Sequence, residues 1–367
     1  MNFTIERDLW EHLAATDKTI VMYGMGNGAD KILAACEEKG VAVSDFFASD
    51  GFVRGHCFHG KTVKSWSEIK EIYGAKNVIV LLSFGSSRPE VLENITRIAA
   101  EAELYAPDVP AFGDGLFDRA FFEANRDAIE RAYALLSDEE SKRIFENVLR
   151  FKLTGDVQFL MNAVSDEEEI FSELVQPKAI TNAADLGAYN GDTARELLER
   201  GEGKIQKIYA MEPDARNFRK LNAYAETETR AEIIPCNVGA WSEKTTLYFD
   251  GSGNRNASFG SNRSETLADR PVKLKSVEAD TLDNILNGDT VEYIKYDVEG
   301  SEKEALLGSR ETILKHYPTL LVSLYHRNED LFALPLMVKE QFPDYTGLYL
   351  RRFAGVPAWD LNLYVKK

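Results

Sequence analysis

Two patterns alternate along the chain. Short apolar runs are followed by stretches with apolar residues every third or fourth position. "KTIVMYGMGNGADKILAACEEKG" predicts a strand, a glycine turn and a helix, and "VAVSDFFASD" a second strand ending in acid. "KTVKSWSEIKEIYG" gives a short strand and a helix, and "NVIVLLSFGSS" another strand, with a helix from about Pro89 to Glu103. Such alternation predicts a parallel sheet, and we place this first α/β domain at residues 1–115. Residues 116–175 read as helical only, with Ser137 and Glu140 fitting a capping box and Gly155 a helix stop. From 176 to 367 the alternation returns in "AADLGAY", "KIYAMEP", "AEIIPCNVGAW", "EYIKYDVEG" and "PTLLVSLYH". A closing antiparallel hairpin, "YTGLYLRRF … WDLNLYVKK", follows. The expected fold class is α/β, with two doubly wound α/β domains joined by a helical segment.

Composition narrows the field by exclusion. Hydrophobic residues make up 44% of the 367 residues, enough for full cores in two domains. A net charge of −17 argues against an open nucleic-acid surface and against a polybasic membrane patch. Cys36, Cys57 and Cys236 are odd in number and far apart, so they read as free thiols in a reducing compartment. The start "MNFTIERDLWEHL" lacks the apolar core of a signal peptide, and no apolar run reaches the length of a membrane span. A cytoplasmic protein without a membrane span or nucleic-acid partner is expected.

The unusual polar residues of the second α/β unit fall at strand ends, where an open α/β sheet binds its ligand. The first turn holds Asp185, Gly187, Tyr189, Asn190, Gly191 and Asp192. The next strand ends in Glu212, at the distance where an acid grips a ribose diol. Asn237 and Val238 end a third strand and suit the flanks of an adenine. Asp297 and Glu299 end a fourth, and His326 a fifth. A phosphate ligand would want bare glycine amides and a base, and five acids would repel it. S-adenosylmethionine has no phosphate. Its diol, amine and sulfonium suit this acidic crevice.

The order "DLGAYNGDTA … YAMEPDARNFRKL … VGAWSEK … TLD … YIKYDVEGSEKEALLG … SLYH" resembles the FkbM-type S-adenosylmethionine-dependent methyltransferases over roughly residues 137–330. "IKYDVEGSE" is the most specific piece, with Tyr296 and Ser301 as small departures. The resemblance implies a class I methyltransferase domain and methyl transfer to oxygen, often on sugars of glycans or natural products. By position, Asp185, Gly187 and Gly191 would hold the methionine end, Glu212 the ribose, and Asn237 would lie by the adenine. Asp297, Glu299 and His326 are the candidate catalytic residues. His326 would serve as base, and Asp297 would orient the acceptor beside the transferring methyl group. The loop "GSGNRNASFGSNRSE" is expected to help shape the acceptor pocket.

In the first domain "GMGNGA" fits G-x-G-x-x-A between a strand and a helix, a Rossmann-like signature. Gly24, Gly26, Asn27, Ala29 and Asp50 are its candidate nucleotide residues. Ser83, Ser86, Ser87 and Arg88 are candidates to meet a phosphate. His56, Cys57 and His59 lack distant partners, so no metal site is expected. The main expectation is an O-methyltransferase with an accessory nucleotide-fold domain, a small-molecule or glycan acceptor, and a homo-oligomer as a candidate assembly. Two rivals stay open: an NAD-dependent oxidoreductase using the first glycine loop, and a non-catalytic S-adenosylmethionine-binding protein.

Overall fold

The run "TIVMY" folds as strand β1 (Thr19–Tyr23), its last four residues buried on both faces of a sheet. It is followed by helix α1 (Asn27–Glu38), then β2 (Asp45–Ala48), β3 (Lys64–Ser65), β4 (Val78–Leu82), α2 (Pro89–Glu101) and β5 (Glu103–Tyr105). These strands form a parallel sheet in the order β3-β2-β1-β4-β5. The computed structural model describes every residue except Asn2, Arg54 and 251–273. The loop 251–265, expected to shape the acceptor pocket, therefore lies outside the described residues.

Helices α3 (Arg119–Ala134) and α4 (Glu139–Thr154) form the helical segment. Asp138, not Ser137, caps α4, accepting from the Ser141 amide at 2.7 Å. Both residues are competent caps. Ser137 is drawn off because its Oγ accepts from the Leu348 amide on an edge strand. Gly155 ends α4 in the left-handed region, as expected. Near the end of α4, Lys152 makes a buried ion pair with Asp108 at 2.7 Å, which ties down the irregular stretch leading into α3.

The second α/β unit runs β6 (Asn182–Leu186), α5 (Asp192–Arg200), β7 (Lys207–Met211), α6 (Ala215–Thr227) and β8 (Glu232–Cys236). A small three-stranded sheet follows, from β9 (Gly239–Ala240), β10 (Thr245–Asp250) and β11 (Leu274–Asp280). The main sheet resumes with β12 (Tyr293–Tyr296), α7 (Glu302–Leu307), β13 (Thr319–Ser323), α8 (Asp330–Gln341), β14 (Gly347–Arg352) and β15 (Leu361–Lys366). Its order is β8-β7-β6-β12-β13-β15-β14. The strands are parallel except where β15 runs against both neighbours, which is the expected closing hairpin. The chain leaves β6 on one side and returns through β12 on the other. The switch point at their carboxyl ends is where such a sheet binds ligand.

The carboxyl ends of the two sheets meet. Ser86, just past β4, exchanges backbone hydrogen bonds with Val356 in the β14–β15 loop, at 2.8 and 3.0 Å. A Cβ on Gly85 would come within 2.4 Å of the Trp359 ring, so only glycine allows this approach. The stretch 110–115 crosses the end of β13, with the Phe112 amide donating to the His326 carbonyl at 2.9 Å. Lys31 of α1 holds the same stretch, through the carbonyls of Pro110 and Ala111. Among the described residues no helix is long and apolar enough to cross a membrane.

Candidate active site

The turn after β6 is built by glycine. Gly187 sits at φ +88°, and a Cβ there would lie 1.8 Å from the Asp297 carbonyl oxygen on the adjacent strand. Its amide and that of Ala188 both donate to the Met211 carbonyl at 3.0 Å. Tyr189 adopts φ +47° and donates its amide to Glu212 at 2.9 Å. Asn190 accepts from Arg195 through its carbonyl and side-chain oxygens. Gly191, at φ +83°, precedes α5, and its missing Cβ leaves room for the Tyr224 ring. Asp192 is the first residue of that helix and binds the Thr193 amide.

Glu212 lies just past β7. One carboxylate oxygen accepts from Tyr189 and the other from the Asp214 amide at 2.8 Å. The Asn237 side chain donates to the Glu212 carbonyl at 2.8 Å, and half-buried Val238 packs beside it against the core. The structure thus gathers all the residues expected to bind cofactor around the ends of β6, β7, β8 and β12. Two of the acids are poorly compensated. Asp185 is 0% exposed and neither carboxylate oxygen has a hydrogen-bond partner. Lys295, 3.8 Å away, is the nearby cation. Burial pushes Asp185 up to about 6 against the pull of Lys295. Burial also pushes Glu212 up to about 7, despite two backbone N–H donors. Buried carboxylates of this kind are stabilised by a ligand that brings positive charge and hydroxyls.

The ends of β12 and β13 carry a second cluster. Asp297 accepts from Lys295 at 3.1 Å and from the Tyr325 hydroxyl at 2.8 Å. Burial would raise this carboxyl, but Lys295, His326 and Tyr325 outweigh it and hold it down at about 2. His326, 2% exposed, is ringed by acids. Its Nδ1 lies 2.8 Å from Glu302, and its Nε2 lies 3.5 Å from Asp297 and 3.6 Å from Glu299. Burial would lower the imidazole, yet Glu302, Asp297 and Glu299 together raise it to about 9. Tyr325 and Phe112 pack their rings against it. Glu299 adopts φ +55°, so the turn that brings it to the imidazole is a left-handed one.

Sequence reasoning passed over Glu302, Lys295, Tyr325 and Asp330. Glu302 stands inside "IKYDVEGSE" but was not singled out from that motif. Glu302 is 1% exposed, accepts from the Val298 and Gly300 amides, and fixes His326. Buried Asp330 accepts from the Arg327 amide at 2.7 Å, and burial beside Glu302 raises its carboxyl. Mid-strand Lys295 offered no sequence signal beyond being a cation in an apolar run.

The first-domain candidates are arranged differently. Gly24 lies where a Cβ would meet Ser83 Oγ at 2.6 Å, Gly26 precedes α1, Asn27 starts it, and Ala29 is buried in the core. Asp50 faces solvent and accepts from the Ser67 amide and hydroxyl, at 3.3 and 2.9 Å. Ser83 donates to the Tyr23 carbonyl, Ser86 pairs with Val356, Ser87 lies in the loop between, and Arg88 pairs with Glu90. Among the described residues no group of three or more His, Cys, Asp or Glu side chains is placed to hold a metal ion.

Comparison with known proteins bears on the fold and on residues 185–347. No curated protein sequence matches the chain. The structure of a methyltransferase FkbM from Methylobacillus flagellatus KT aligns at a TM-score of 0.68 and 21% identity, over 95% of this chain and 90% of that one. An rRNA methylase from Streptococcus thermophilus aligns over 51% of this chain and 86% of its own, at 12% identity and TM-score 0.33. Aeropyrum pernix fibrillarin with natively bound S-adenosyl-L-methionine aligns over 51% and 66%, at 12% identity and TM-score 0.30. Residues 185–347 match the family described as "Methyltransferase FkbM domain", which spans the turn after β6 and the whole acid cluster. Residues 185–347 thus match an FkbM methyltransferase domain, and the chain as a whole shares the fold of a solved FkbM methyltransferase.

Proposed function

We propose that the chain is an S-adenosylmethionine-dependent O-methyltransferase acting on a hydroxyl of a sugar, glycan or natural product. The observation that carries the cofactor reading is Asp185, fully buried at the switch point of the sheet with only Lys295, 3.8 Å away, to offset its charge. The residues fit the cofactor. The Gly187 turn packs directly on the Asp297 backbone and so brings the ends of β6 and β12 together, Glu212 retains lone pairs for a diol, and Asn237 and Val238 line the neighbouring strand end. The first glycine turn gives the oxidoreductase reading less support, because Asp50 is committed to Ser67.

When bound, S-adenosylmethionine supplies a methyl group activated by its sulfonium. The protein's part is alignment and proton removal. Proximity and alignment are worth up to ~7–11 kcal/mol, and a general base adds ~10²–10⁴-fold. We assign the base to His326 and the orienting role to Asp297. Glu302 on Nδ1 turns Nε2 towards Asp297 and Glu299, at the crevice. An imidazole raised to about 9 is a stronger base than an ordinary one once it has lost its proton. Turnover should therefore climb with pH towards about 9 and level off above it. Thermal unfolding with S-adenosylmethionine or NADH tests the cofactor. A ligand at a hundred times its Kd stabilises by about 2.7 kcal/mol. Stabilisation by NADH alone would reverse the assignment.

A further inference from the structure

Among the described residues at the crevice, one guanidinium makes no ion pair with the acids. Arg327 follows His326, just beyond β13. Lys295 and His326 each face two or three carboxylates, whereas Arg327 has no ion pair among the described residues. Its Nε donates to the Gly300 carbonyl at 2.8 Å and its backbone amide to Asp330. Its two terminal nitrogens make no hydrogen bond among the described residues, and the side chain is half-buried.

The position is built rather than incidental. Gly300, at φ +89°, lies so close that a Cβ would stand 3.2 Å from Arg327 Nε and 3.1 Å from Phe112 Cβ. Gly113, at φ +87°, would place a Cβ 3.4 Å from Arg327 Nη1. The guanidinium is thus held between two glycine turns, one from each side of the seam. Its place in the sheet gives it a side. The cofactor residues lie at β6, β7 and β8, Asp297 lies at β12, and Arg327 lies one strand further. Neighbouring strands are ~4.8 Å apart, so β13 runs ~10 Å from β6, and Arg327, beyond the end of β13, lies on the far side of Asp297 from the cofactor residues.

We infer that the acceptor carries a compact oxyanion, phosphate or carboxylate, and that Arg327 receives it. This rests on the methyltransferase reading of the crevice. A guanidinium presents a planar fork that matches either anion with two parallel hydrogen bonds. The acids around His326 oppose an anion, so binding depends on the guanidinium meeting it with both hydrogen bonds, set off from the cofactor end where the acids repel phosphate. The stretch 110–115 supplies one wall, so the first domain takes part in acceptor choice through Phe112, Gly113 and the Lys31 tie.

The test uses the whole protein saturated with S-adenosylhomocysteine, titrated calorimetrically with glucose 6-phosphate, glucuronate and glucose. We expect one or both anionic probes to bind and glucose to bind at least ~10-fold more weakly, the effect of one charge-assisted hydrogen bond. The phosphate and carboxylate arms show which anion the fork prefers. Arg327→Gln should weaken the anionic probe by roughly 10- to 100-fold, and Arg327→Lys should recover part of the loss. S-adenosylhomocysteine affinity should stay unchanged in both variants, which also shows that they are folded. Equal binding of all three probes, no binding of either anion, or undiminished binding in Arg327→Gln overturns the assignment. Failure of S-adenosylhomocysteine to bind the unsubstituted protein would instead sink the cofactor reading on which it rests.

Discussion

Replacing Glu302 with glutamine removes one charge from the wall of the His326 pocket while keeping an oxygen for Nδ1 and for the Val298 and Gly300 amides. His326 is raised from an ordinary 6.5 to about 9. At 1.36 kcal/mol per pH unit, that gap is roughly 3 kcal/mol of preference for the imidazolium. Glu302 is the nearest acid, but Asp297 and Glu299 remain at 3.5 and 3.6 Å in the variant. The histidine should therefore fall by roughly one pH unit or more without returning fully to its ordinary value. Because the folded-state value lies above the unfolded one, this group contributes stability fully below about 6.5 and loses it as pH rises through about 9. Unfolding free energy should drop over that window in the unsubstituted protein and drop less in Glu302→Gln. An NMR titration of the histidine ring protons reads the shift directly. The chain has five histidines, and His326→Asn identifies the signal. A His326 that titrates near 6.5, or that ignores the loss of Glu302, would refute the electrostatic account of this pocket.

Other outcomes follow from the same geometry. Glu212→Ala should weaken S-adenosylmethionine binding by roughly 10- to 100-fold in calorimetry, from charge-assisted bonds of ~1.5–3 kcal/mol each, and unchanged affinity in a folded variant would remove Glu212 from the ribose site. Burial lifts Asp185 to about 6 and Glu212 to about 7, so affinity for the cationic cofactor should rise with pH across that range, and a flat profile would contradict their role. Gly187→Ala should abolish cofactor binding or folding, because the added carbon lands 1.8 Å from a backbone oxygen, and a variant with ordinary affinity would show the turn to be otherwise built. Lys152→Ala leaves Asp108 buried without its partner and should cost ~3–5 kcal/mol in chemical unfolding, well above the effect of an exposed ion pair.

The scaffold was legible because apolar runs ended in acids or glycines at regular intervals. Asp185, Glu212 and Asp297 announced strand ends, and the strand order then placed them side by side. What stayed hidden depended on contacts between distant segments. The Ser137 and Asp138 choice turned on the Leu348 amide, a partner far along the chain. Glu302 drew no notice as one acid among several in "IKYDVEGSE", and only the tertiary fold turns it inward onto His326. The spacing of Asp50 fitted a ribose acid, yet the local turn directs it to Ser67. Arg327 carried no motif at all. Its role follows from Gly113 and Gly300, which lie on separate segments and meet only across the seam.

The most direct test of the central claim is methyl transfer itself. The purified protein would be incubated with S-adenosylmethionine and a panel of hydroxylated sugars, sugar phosphates and uronates. Released S-adenosylhomocysteine and methylated product would both be quantified, alongside His326→Ala and Asp297→Asn. The account predicts equimolar S-adenosylhomocysteine and O-methylated product with at least one acceptor, and turnover cut by at least ~10²-fold in each variant with cofactor affinity largely kept. Near-normal turnover in both variants, or methylation of a site other than oxygen, would contradict it.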